Sequence, residues 1–213
     1  MSVFFEKKWK YILILNIVNE YKTLKMKRIC IFASGNGTNT KNIIDYFKQR
    51  KNCEVSLVLS NKKEAYVLQR AQLLGVSNRF FSREDLHNYT VLKLLEEYRI
   101  DFIVLAGFLW LIPKELLRAY PNRIVNIHPA LLPKYGGKGM YGARVHEIVL
   151  ENKEKESGIS VHYVNEEYDK GDIIFQARCK VEQGETADSL AKKVHKLEYE
   201  HFPRVIEKLM DSI

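Results

Sequence analysis

The chain has 213 residues, of which 46% are hydrophobic and 28% are charged, and its formal net charge is +8 at pH 7. These values are typical of an ordinary soluble globular protein with one domain and a substantial core. The charge is uneven, because residues 1–28 contain seven Lys and Arg but only two Glu, a net of +5 that leaves +3 for residues 29–213. This distribution argues against a nucleic-acid-binding protein, whose positive charge should lie on the folded body.

Residues 1–25 form a basic and partly apolar extension. Its apolar run, residues 11–18, follows three lysines as in the opening of a signal peptide. The run is far shorter than the roughly 20 residues that a membrane-spanning helix needs, and no small-residue cleavage site follows it. We therefore expect that Met26 is the natural start or that residues 1–25 are a dispensable extension, and in either case we expect a folded domain at residues 26–213 and no membrane partner.

The three cysteines, Cys30, Cys53 and Cys179, are widely separated and form no CxxC pair. Two of them lie in predicted core strands, where a buried free thiol is the usual state. Such usage favours a reducing compartment, so the sequence predicts a cytoplasmic protein. The histidines also lack the spacing of metal ligands, and no metal site is predicted.

In chain order, short apolar runs alternate with segments of helical spacing. Strands are predicted at residues 28–33, 53–60, 79–81, 102–106 and 124–128, and helices at 39–50, 66–74, 85–98 and from Pro113. Residues 102–106 are nearly all apolar, which is typical of a parallel strand covered on both faces. Such repeats predict an α/β fold of one domain, with a doubly wound, mostly parallel sheet and helices on both faces.

The C-terminal part of the chain has a different pattern. Residues 159–164 and 172–181 are predicted to be two strands, joined by a loop at 165–171 in a hairpin-like addition to the sheet. Thr186 then precedes a long stretch of helical spacing and is the predicted N-cap of a final helix. No internal repeat or domain boundary is indicated after residue 26.

A glycine-containing loop, Gly35-Asn36-Gly37-Thr38-Asn39, lies between the first strand and the first helix. Glycines permit a tight turn there, and N–H groups at a helix start bind anions. A dinucleotide fingerprint is disfavoured, because Thr40 occupies the third glycine position and Ser60-Asn61-Lys62 offers no acidic partner for a ribose. The loop therefore predicts a site for a single phosphate, with an ordinary turn between strand and helix as the alternative.

Asn126 and His128 are two residues apart at the end of a predicted strand. They therefore share one face and project from the carboxyl edge of the sheet, where parallel α/β folds bind ligands. An amide beside an imidazole suits acyl transfer, because the amide can stabilise an oxyanion while the imidazole moves a proton. A lone histidine at a strand end is nevertheless more often structural.

Four ordered motifs carry a family resemblance. They are NIHPALLPKY at residues 126–135, ASGNGTN at 33–39, VLAGF at 104–108, and GISVHYV at 158–164 with Asp169 five residues beyond. Together they make the chain from Lys27 onwards resemble the folate-dependent formyltransferases, in particular their glycinamide ribonucleotide branch. The resemblance implies an enzyme of de novo purine (IMP) biosynthesis that transfers a formyl group from the cosubstrate 10-formyltetrahydrofolate to the amine of 5-phosphoribosylglycinamide.

The resemblance also implies roles for individual residues. Asn126 would hold the formyl oxygen, His128 would assist proton transfer, and Asp169 would pair with His128 and keep its pKa high. The phosphate loop would bind the ribonucleotide through Gly37, Thr38 and Asn39, and Glu198 on the final helix would bind its glycinamide part. His162 matches a family position near the active site, whereas His87, His146 and His201 are expected to be solvated or packing residues.

The folate site is likewise implied by the resemblance. Its residues would be Arg83, Leu109, Trp110, Leu111, Ile112, Asn126, Asn165, Glu166, Glu167, Tyr168 and Asp169. Trp110 departs from the common pattern of the family, which has an arginine after Gly-Phe-Met. The four glycines of residues 136–142 also depart from the common loop and favour a mobile lid over the ribonucleotide.

Several alternatives remain at this point. A methionyl-tRNA formyltransferase would need a large C-terminal tRNA-binding domain, for which we expect no room after the final helix. A formyltransferase that acts on a sugar-nucleotide amine is the main alternative, and an NAD-dependent oxidoreductase is disfavoured by Thr40. The expected partners are small-molecule substrates, with neither nucleic acid nor membrane, and the chain could be a monomer or a homodimer.

Overall fold

The computed structural model describes residues 26–213, which fold into one seven-stranded sheet and seven helices. The strands are β1 Lys27–Phe32, β2 Cys53–Ser60, β3 Ser77–Phe80, β4 Phe102–Leu105, β5 Ile124–His128, β6 Glu156–Tyr163 and β7 Ile173–Lys180. The helices are α1 Thr38–Phe47, α2 Tyr66–Leu73, α3 Arg83–His87, α4 Thr90–Glu97, α5 Lys114–Ala119, α6 Ala143–Glu151 and α7 Ala187–Asp211. None of these helices combines the length and the apolar character that crossing a membrane requires.

The strand order in the sheet is β3-β2-β1-β4-β5-β6-β7. The first five strands are parallel, whereas β6 is antiparallel to β5, and β7 is antiparallel to β6. The chain winds outward from β1 in one direction to β3 and then restarts at β4 on the other side. This reversal creates a crevice outside the carboxyl ends of β1 and β4, which is where open α/β sheets bind ligands.

Apolar side chains alternate between the two faces of the sheet. On β1, Ile29 and Ile31 pack with buried residues of α1, α2, α6 and α7, whereas Cys30 and Phe32 pack with those of α3, α4 and α5. All four of these β1 side chains are fully buried. The predicted doubly wound, mostly parallel fold with helices on both faces is therefore confirmed, as is the antiparallel hairpin of β6 and β7.

Two details of the element predictions were wrong. The helix predicted at residues 85–98 is two helices, α3 and α4, because Tyr89 has φ 66° and interrupts the helical path. The helix α6 was not predicted, since the glycines before it favoured a loop. The short strand expected near residues 79–81 is confirmed as β3, which begins at Ser77 and ends at Phe80.

The expectation that residues 1–25 are dispensable lies outside the described residues and remains a prediction. Because β1 begins at Lys27 and the described residues already bury two apolar clusters, deleting residues 1–25 should leave the folding of the domain intact. The expected result is an unchanged melting temperature and turnover number, measured side by side with the full chain. A drop of several degrees would show that the extension contributes to stability.

Candidate active site

Three loops meet at the carboxyl edge of the sheet. They follow β1, β4 and β5, and Ser34 joins the first two, because its N–H donates to the carbonyl of Gly107 at 3.0 Å. Its hydroxyl accepts from the N–H of Leu109 at 3.1 Å, and the residue is 3% exposed. Hydrogen bonds of Ser34 thus connect the loop after β1, proposed to bind phosphate, to the loop after β4, proposed to bind folate. The connection crosses the point where the strand order reverses.

Asn126, His128 and Asp169 lie together at this edge. Nδ1 of His128 lies 3.5 Å from Oδ2 of Asp169, and the two side chains are only 4% and 11% exposed. The amide of Asn126 donates to Oδ1 of the same carboxylate at 3.3 Å. The structure therefore brings the three residues into one constellation, although Asp169 is 43 residues from Asn126 in the chain.

His128 is held at its other ring nitrogen by the backbone. Nε2 lies 2.7 Å from the carbonyl oxygen of Tyr135, and since a carbonyl can only accept, Nε2 carries a proton in this network. Nδ1 is then the ring atom whose protonation can change, and it faces Asp169. Proton exchange with a substrate would therefore go through Nδ1 in this arrangement.

Asp169 raises the pKa of His128, as expected from the pairing, but the net pKa of His128 is not high. Burial lowers the pKa of His128 below its ordinary value, because the surroundings solvate an imidazolium poorly. The charge of Asp169 and the carbonyl of Tyr135 both raise the pKa, but they offset only part of this effect. His128 is thus mainly neutral near pH 7, and Asp169 limits the lowering of its pKa.

Asp169 is fixed by the start of the glycine-rich segment. The N–H of Gly137 donates to Oδ2 of Asp169 at 2.9 Å, and a Cβ at Gly136 would lie 3.1 Å from the Cβ of Asp169. Burial raises the pKa of Asp169, but the neighbouring imidazoles of His162 and His128 and the Gly137 N–H together lower it. Asp169 is therefore an anion at neutral pH.

His162 is buried beside this constellation. Its Nδ1 lies 2.7 Å from the carbonyl of Tyr163, which places a proton on Nδ1 and leaves Nε2 as an acceptor in the neutral ring. Nε2 accepts from the amide of Asn126 at 3.1 Å and lies 3.5 Å from Oδ1 of Asp169. His162 thus orients the amide of Asn126, which is a supporting position consistent with the expectation.

The phosphate-type loop leads into the N-terminus of α1. Gly37 precedes the helix with φ 71°, and its carbonyl accepts the first helical hydrogen bond, from the N–H of Lys41. The N–H groups of Thr38, Asn39 and Thr40 consequently have no carbonyl four residues earlier to bind within the helix, which is the usual feature of an anion site. All three predicted phosphate ligands therefore lie on one turn.

Glu198 reaches this turn from α7. Its Oε2 accepts from the amide of Asn39 at 2.9 Å, and the carboxylate side chain is 5% exposed. This largely buried carboxylate lies beside the helix N-terminus, so the proposed glycinamide subsite is next to the proposed phosphate subsite. The structure thus brings Glu198 together with the loop, 159 residues earlier in the chain.

Sequence reasoning missed His195, which stands one turn before Glu198 on α7. Its Nδ1 lies 2.7 Å from Oε2 of Glu198, and this hydrogen bond raises the pKa of His195 above its ordinary value. The spacing of three residues on a helix was the available signal, because such residues are neighbours on one face.

His146, expected to be solvated or packing, is 3% exposed and therefore a packing residue, and its Nδ1 has no hydrogen-bond partner within residues 26–213.

A cleft of about 430 Å³ opens at the ends of β4 and its following loop. Its lining residues are Arg83, Leu86, His87, Trp110, Leu111, Ile112, Pro113, Lys114, Glu115, Glu166 and Tyr168. Six of the predicted folate residues, among them Arg83 and Trp110, are therefore placed at one cleft with apolar walls and charged residues around them. Leu109, Asn165 and Glu167 are not among its lining residues, and Glu167 instead donates its N–H to the Asn165 side chain at 3.0 Å.

Within the described part of the chain, no group of three or more His, Cys, Asp or Glu side chains is arranged to hold a metal ion. The groups that these residues supply at the site are amide, imidazole and carboxylate side chains, together with backbone N–H groups. Such a set can stabilise an oxyanion and move a proton, as acyl transfer requires.

Comparison with known proteins places this geometry in a family. Residues 27–206 match the family described as formyl transferase. The chloroplastic phosphoribosylglycinamide formyltransferase of Arabidopsis thaliana is 39% identical over 195 residues, which are 88% of this chain and 67% of the plant protein. The phosphoribosylglycinamide formyltransferase of Bacillus subtilis is 33% identical and is matched over 95% of its length by 87% of this chain.

A solved structure agrees with these relatives. The glycinamide ribonucleotide transformylase 1 of Geobacillus kaustophilus superposes with a TM-score of 0.79 at 35% identity, covering 87% of this chain and 99% of that protein. The resemblance that the motifs indicated is therefore confirmed over nearly the whole described domain. The chain belongs to the formyl transferase family.

Proposed function

We propose that the protein transfers the formyl group of 10-formyltetrahydrofolate to the amine of 5-phosphoribosylglycinamide, a step of de novo purine biosynthesis. The amine nitrogen forms a bond to the formyl carbon, and the bond from that carbon to N10 of the folate breaks. The amine loses one proton, N10 gains one, and tetrahydrofolate leaves. A formyl donor derived from folate agrees with the family, and the cleft beside Trp110 agrees with the size of a folate.

The observation that carries the proposal is the position of the amide, imidazole and carboxylate between two different subsites. Asn126 and His128 lie at the end of β5 with Asp169 of the β6–β7 loop beside them, while the anion-type turn of α1 follows β1 and the cleft follows β4. Parallel strands bring these ends to one edge of the sheet. A phosphorylated amine and a folate bound at the two subsites would meet at the three side chains.

Asn126 is proposed to donate a hydrogen bond to the formyl oxygen as it becomes an oxyanion. Both hydrogens of its amide are engaged, one by His162 at 3.1 Å and one by Asp169 at 3.3 Å. The bond to Asp169 is the longer of the two, and an oxyanion is an acceptor of the same charged kind that can take the place of this carboxylate oxygen. His162 would then keep the amide oriented during the exchange.

His128 and Asp169 are proposed to move the proton. Neutral His128 has a free lone pair at Nδ1 to accept the proton of the attacking amine, because Nε2 is engaged by Tyr135. Once protonated, the ring gains a favourable interaction with the carboxylate of Asp169, 3.5 Å away. Asp169 therefore stabilises the imidazolium as it forms, in a site where the imidazolium would otherwise be disfavoured.

A ribonucleotide is favoured over a sugar nucleotide by the turn at α1. The turn offers the N–H groups of Thr38, Asn39 and Thr40 to one anion, and Glu198 stands next to them as a partner for hydroxyl or amine groups. A single terminal phosphate close to the reacting amine fits this arrangement. The three cysteines are free, which supports the further proposal that the protein works in the cytoplasm.

The direct test is an assay with both substrates. We expect the wild-type protein, incubated with 10-formyltetrahydrofolate and 5-phosphoribosylglycinamide, to release tetrahydrofolate and formylated ribonucleotide in equal amounts. The Asn126→Ala variant supplies the negative control, and an amino-sugar nucleotide supplies the competing acceptor. Formylation of the amino-sugar nucleotide alone would favour the alternative, and no release of tetrahydrofolate with either acceptor would refute the proposal.

His195 should strengthen ribonucleotide binding in its protonated form. Since Glu198 raises its pKa, the imidazolium exists below this pKa and is lost as the pH rises through it. We expect His195→Gln to weaken ribonucleotide binding about threefold to tenfold below that pKa, the effect of one exposed charge, and to have little effect above it. The matched control is His201→Gln, whose ring packs 5.1 Å from Phe175. Equal losses at all pH values would assign His195 a steric role.

A further inference from the structure

An ion pair stands at the rim of the cleft. Nζ of Lys114, the first residue of α5, lies 2.8 Å from Oε2 of Glu166, and the side chains are 61% and 58% exposed. Both residues line the cleft, although they come from segments that are far apart in the chain. Lys114 was not among the residues that the sequence motifs indicated.

A second cation lines the same cleft. The guanidinium carbon of Arg83 lies 4.8 Å from the centre of the Trp110 ring, and Arg83 has no carboxylate partner among residues 26–213. Trp110 is itself braced, because its ring lies 6.1 Å from that of Phe81 and 6.2 Å from that of Phe108. Arg83 is thus held over a fixed aromatic surface with its donors available to a ligand.

The two cations differ from each other in availability. Within the described residues, Arg83 forms no ion pair with a carboxylate. Lys114, in contrast, is paired with Glu166 and becomes available only when another anion displaces Glu166. An exposed ion pair of this kind is weak and is screened by salt, so an arriving carboxylate can take the place of Glu166. Glu115 and His87 are the other ionisable residues that line the cleft beside Tyr168.

We propose that Lys114 binds the carboxylate tail of the folate cosubstrate, and that Glu166 is a built-in competitor that occupies Lys114 when the tail is absent. This inference rests on the proposed function, because it needs a folate in the cleft. A folate is an apolar ring system that ends in a glutamate dianion. Trp110 and its apolar neighbours suit the first part, whereas Arg83 and Lys114 suit the second.

The competitor makes the site selective for the tail. A folate without glutamate leaves the Lys114–Glu166 pair intact and gains no binding free energy from Lys114. A tail with one or more glutamates replaces Glu166 and gains the ammonium as a partner, in addition to Arg83. Lys114 and Glu166 are therefore specificity-determining residues, and neither lies in the group formed by Asn126, His128 and Asp169.

The test compares three ligands by calorimetric titration: tetrahydropteroate, which has no glutamate, tetrahydrofolate, and tetrahydrofolate triglutamate. We expect Lys114→Met, which keeps most of the alkyl chain, to weaken binding of the two glutamate-bearing ligands about threefold to tenfold. We expect Glu166→Gln to strengthen their binding about twofold to threefold, because it removes the competing charge. Tetrahydropteroate should bind equally to all three proteins.

The controls are Arg178→Met and Glu156→Gln, which break an equally exposed pair at 3.1 Å on the hairpin of β6 and β7. They should change the binding of none of the three ligands. Losses in Lys114→Met that are equal for all three ligands, or a Glu166→Gln variant that binds the glutamate tail no better than wild type, would overturn the inference. Failure of every folate to bind wild type would instead overturn the proposed function, so the two failures are distinguishable.

Discussion

We expect Asp169→Asn to shift the pH profile of kcat. The limb of this profile that reflects the titration of His128 should move to lower pH. Asp169 raises the pKa of His128 against the opposing effect of burial, and the amide keeps the shape of the side chain without its charge. The pKa of His128, already below its ordinary value, should then fall further. The backbone should tolerate the change, because Asp169 has φ 56°, a left-handed conformation that Asn adopts readily.

The rate effects at this group should be large. Asn126→Ala removes the oxyanion donor and should lower turnover about 10²-fold to 10³-fold. His128→Ala removes the acid/base and should cost about 10²-fold to 10⁴-fold. The double change of His128 and Asp169 should cost much less than the product of the single losses, because Asp169 acts through the ring that is already missing.

The decisive measurement is the pH dependence of kcat for wild type and Asp169→Asn, with ribonucleotide affinity as the control. The affinity should stay close to wild type, because the anion-type turn lies on α1 and is bound to Glu198, not to Asp169. A pH profile that does not shift, or losses that multiply fully in the double variant, would make Asp169 a binding or structural carboxylate and would contradict the proposed pairing.

The second large effect is expected at Gly37. A Cβ placed there would lie 2.3 Å from Cγ2 of Val67 and 2.9 Å from its Cα, and the residue has φ 71°. Gly37→Ala therefore combines backbone strain with a clash against α2, and it should lower the free energy of unfolding by about 2–5 kcal/mol. The approach of the phosphate to this glycine, which the family resemblance implies, remains a prediction, and packing against Val67 is a separate reason for a glycine at this position.

Two matched glycines separate the causes. Gly75 has φ 74° and open space where an added methyl group would lie, so Gly75→Ala should show the backbone strain alone, about 1–2 kcal/mol. Gly35→Ala, with neither the strain nor the clash, should leave the melting temperature nearly unchanged. Equal losses of stability at Gly37 and Gly75 would mean that α2 moves aside and that Val67 does not restrict the loop.

The parts of the fold that were predicted correctly are those with a strong local pattern. The all-apolar run of β4 and the glycine-containing turn before α1 each need only neighbouring residues to specify them. The break between α3 and α4 was missed because nothing in the apolar spacing of residues 85–98 interrupts it. The side chain of Asn88, which accepts from the N–H of Thr90 at 3.1 Å, competes there with the helix.

The sequence by itself determined the α/β fold and the family, and its motifs indicated Asn126, His128 and Asp169 as one group. Only the tertiary structure decided the pKa of His128, because that pKa depends on how completely the folded chain excludes water from the ring. Only the structure joined Glu198 to Asn39, since this contact connects the first helix to the last. Local pattern specifies which groups are present, whereas burial and long-range contact decide their partners and their charge.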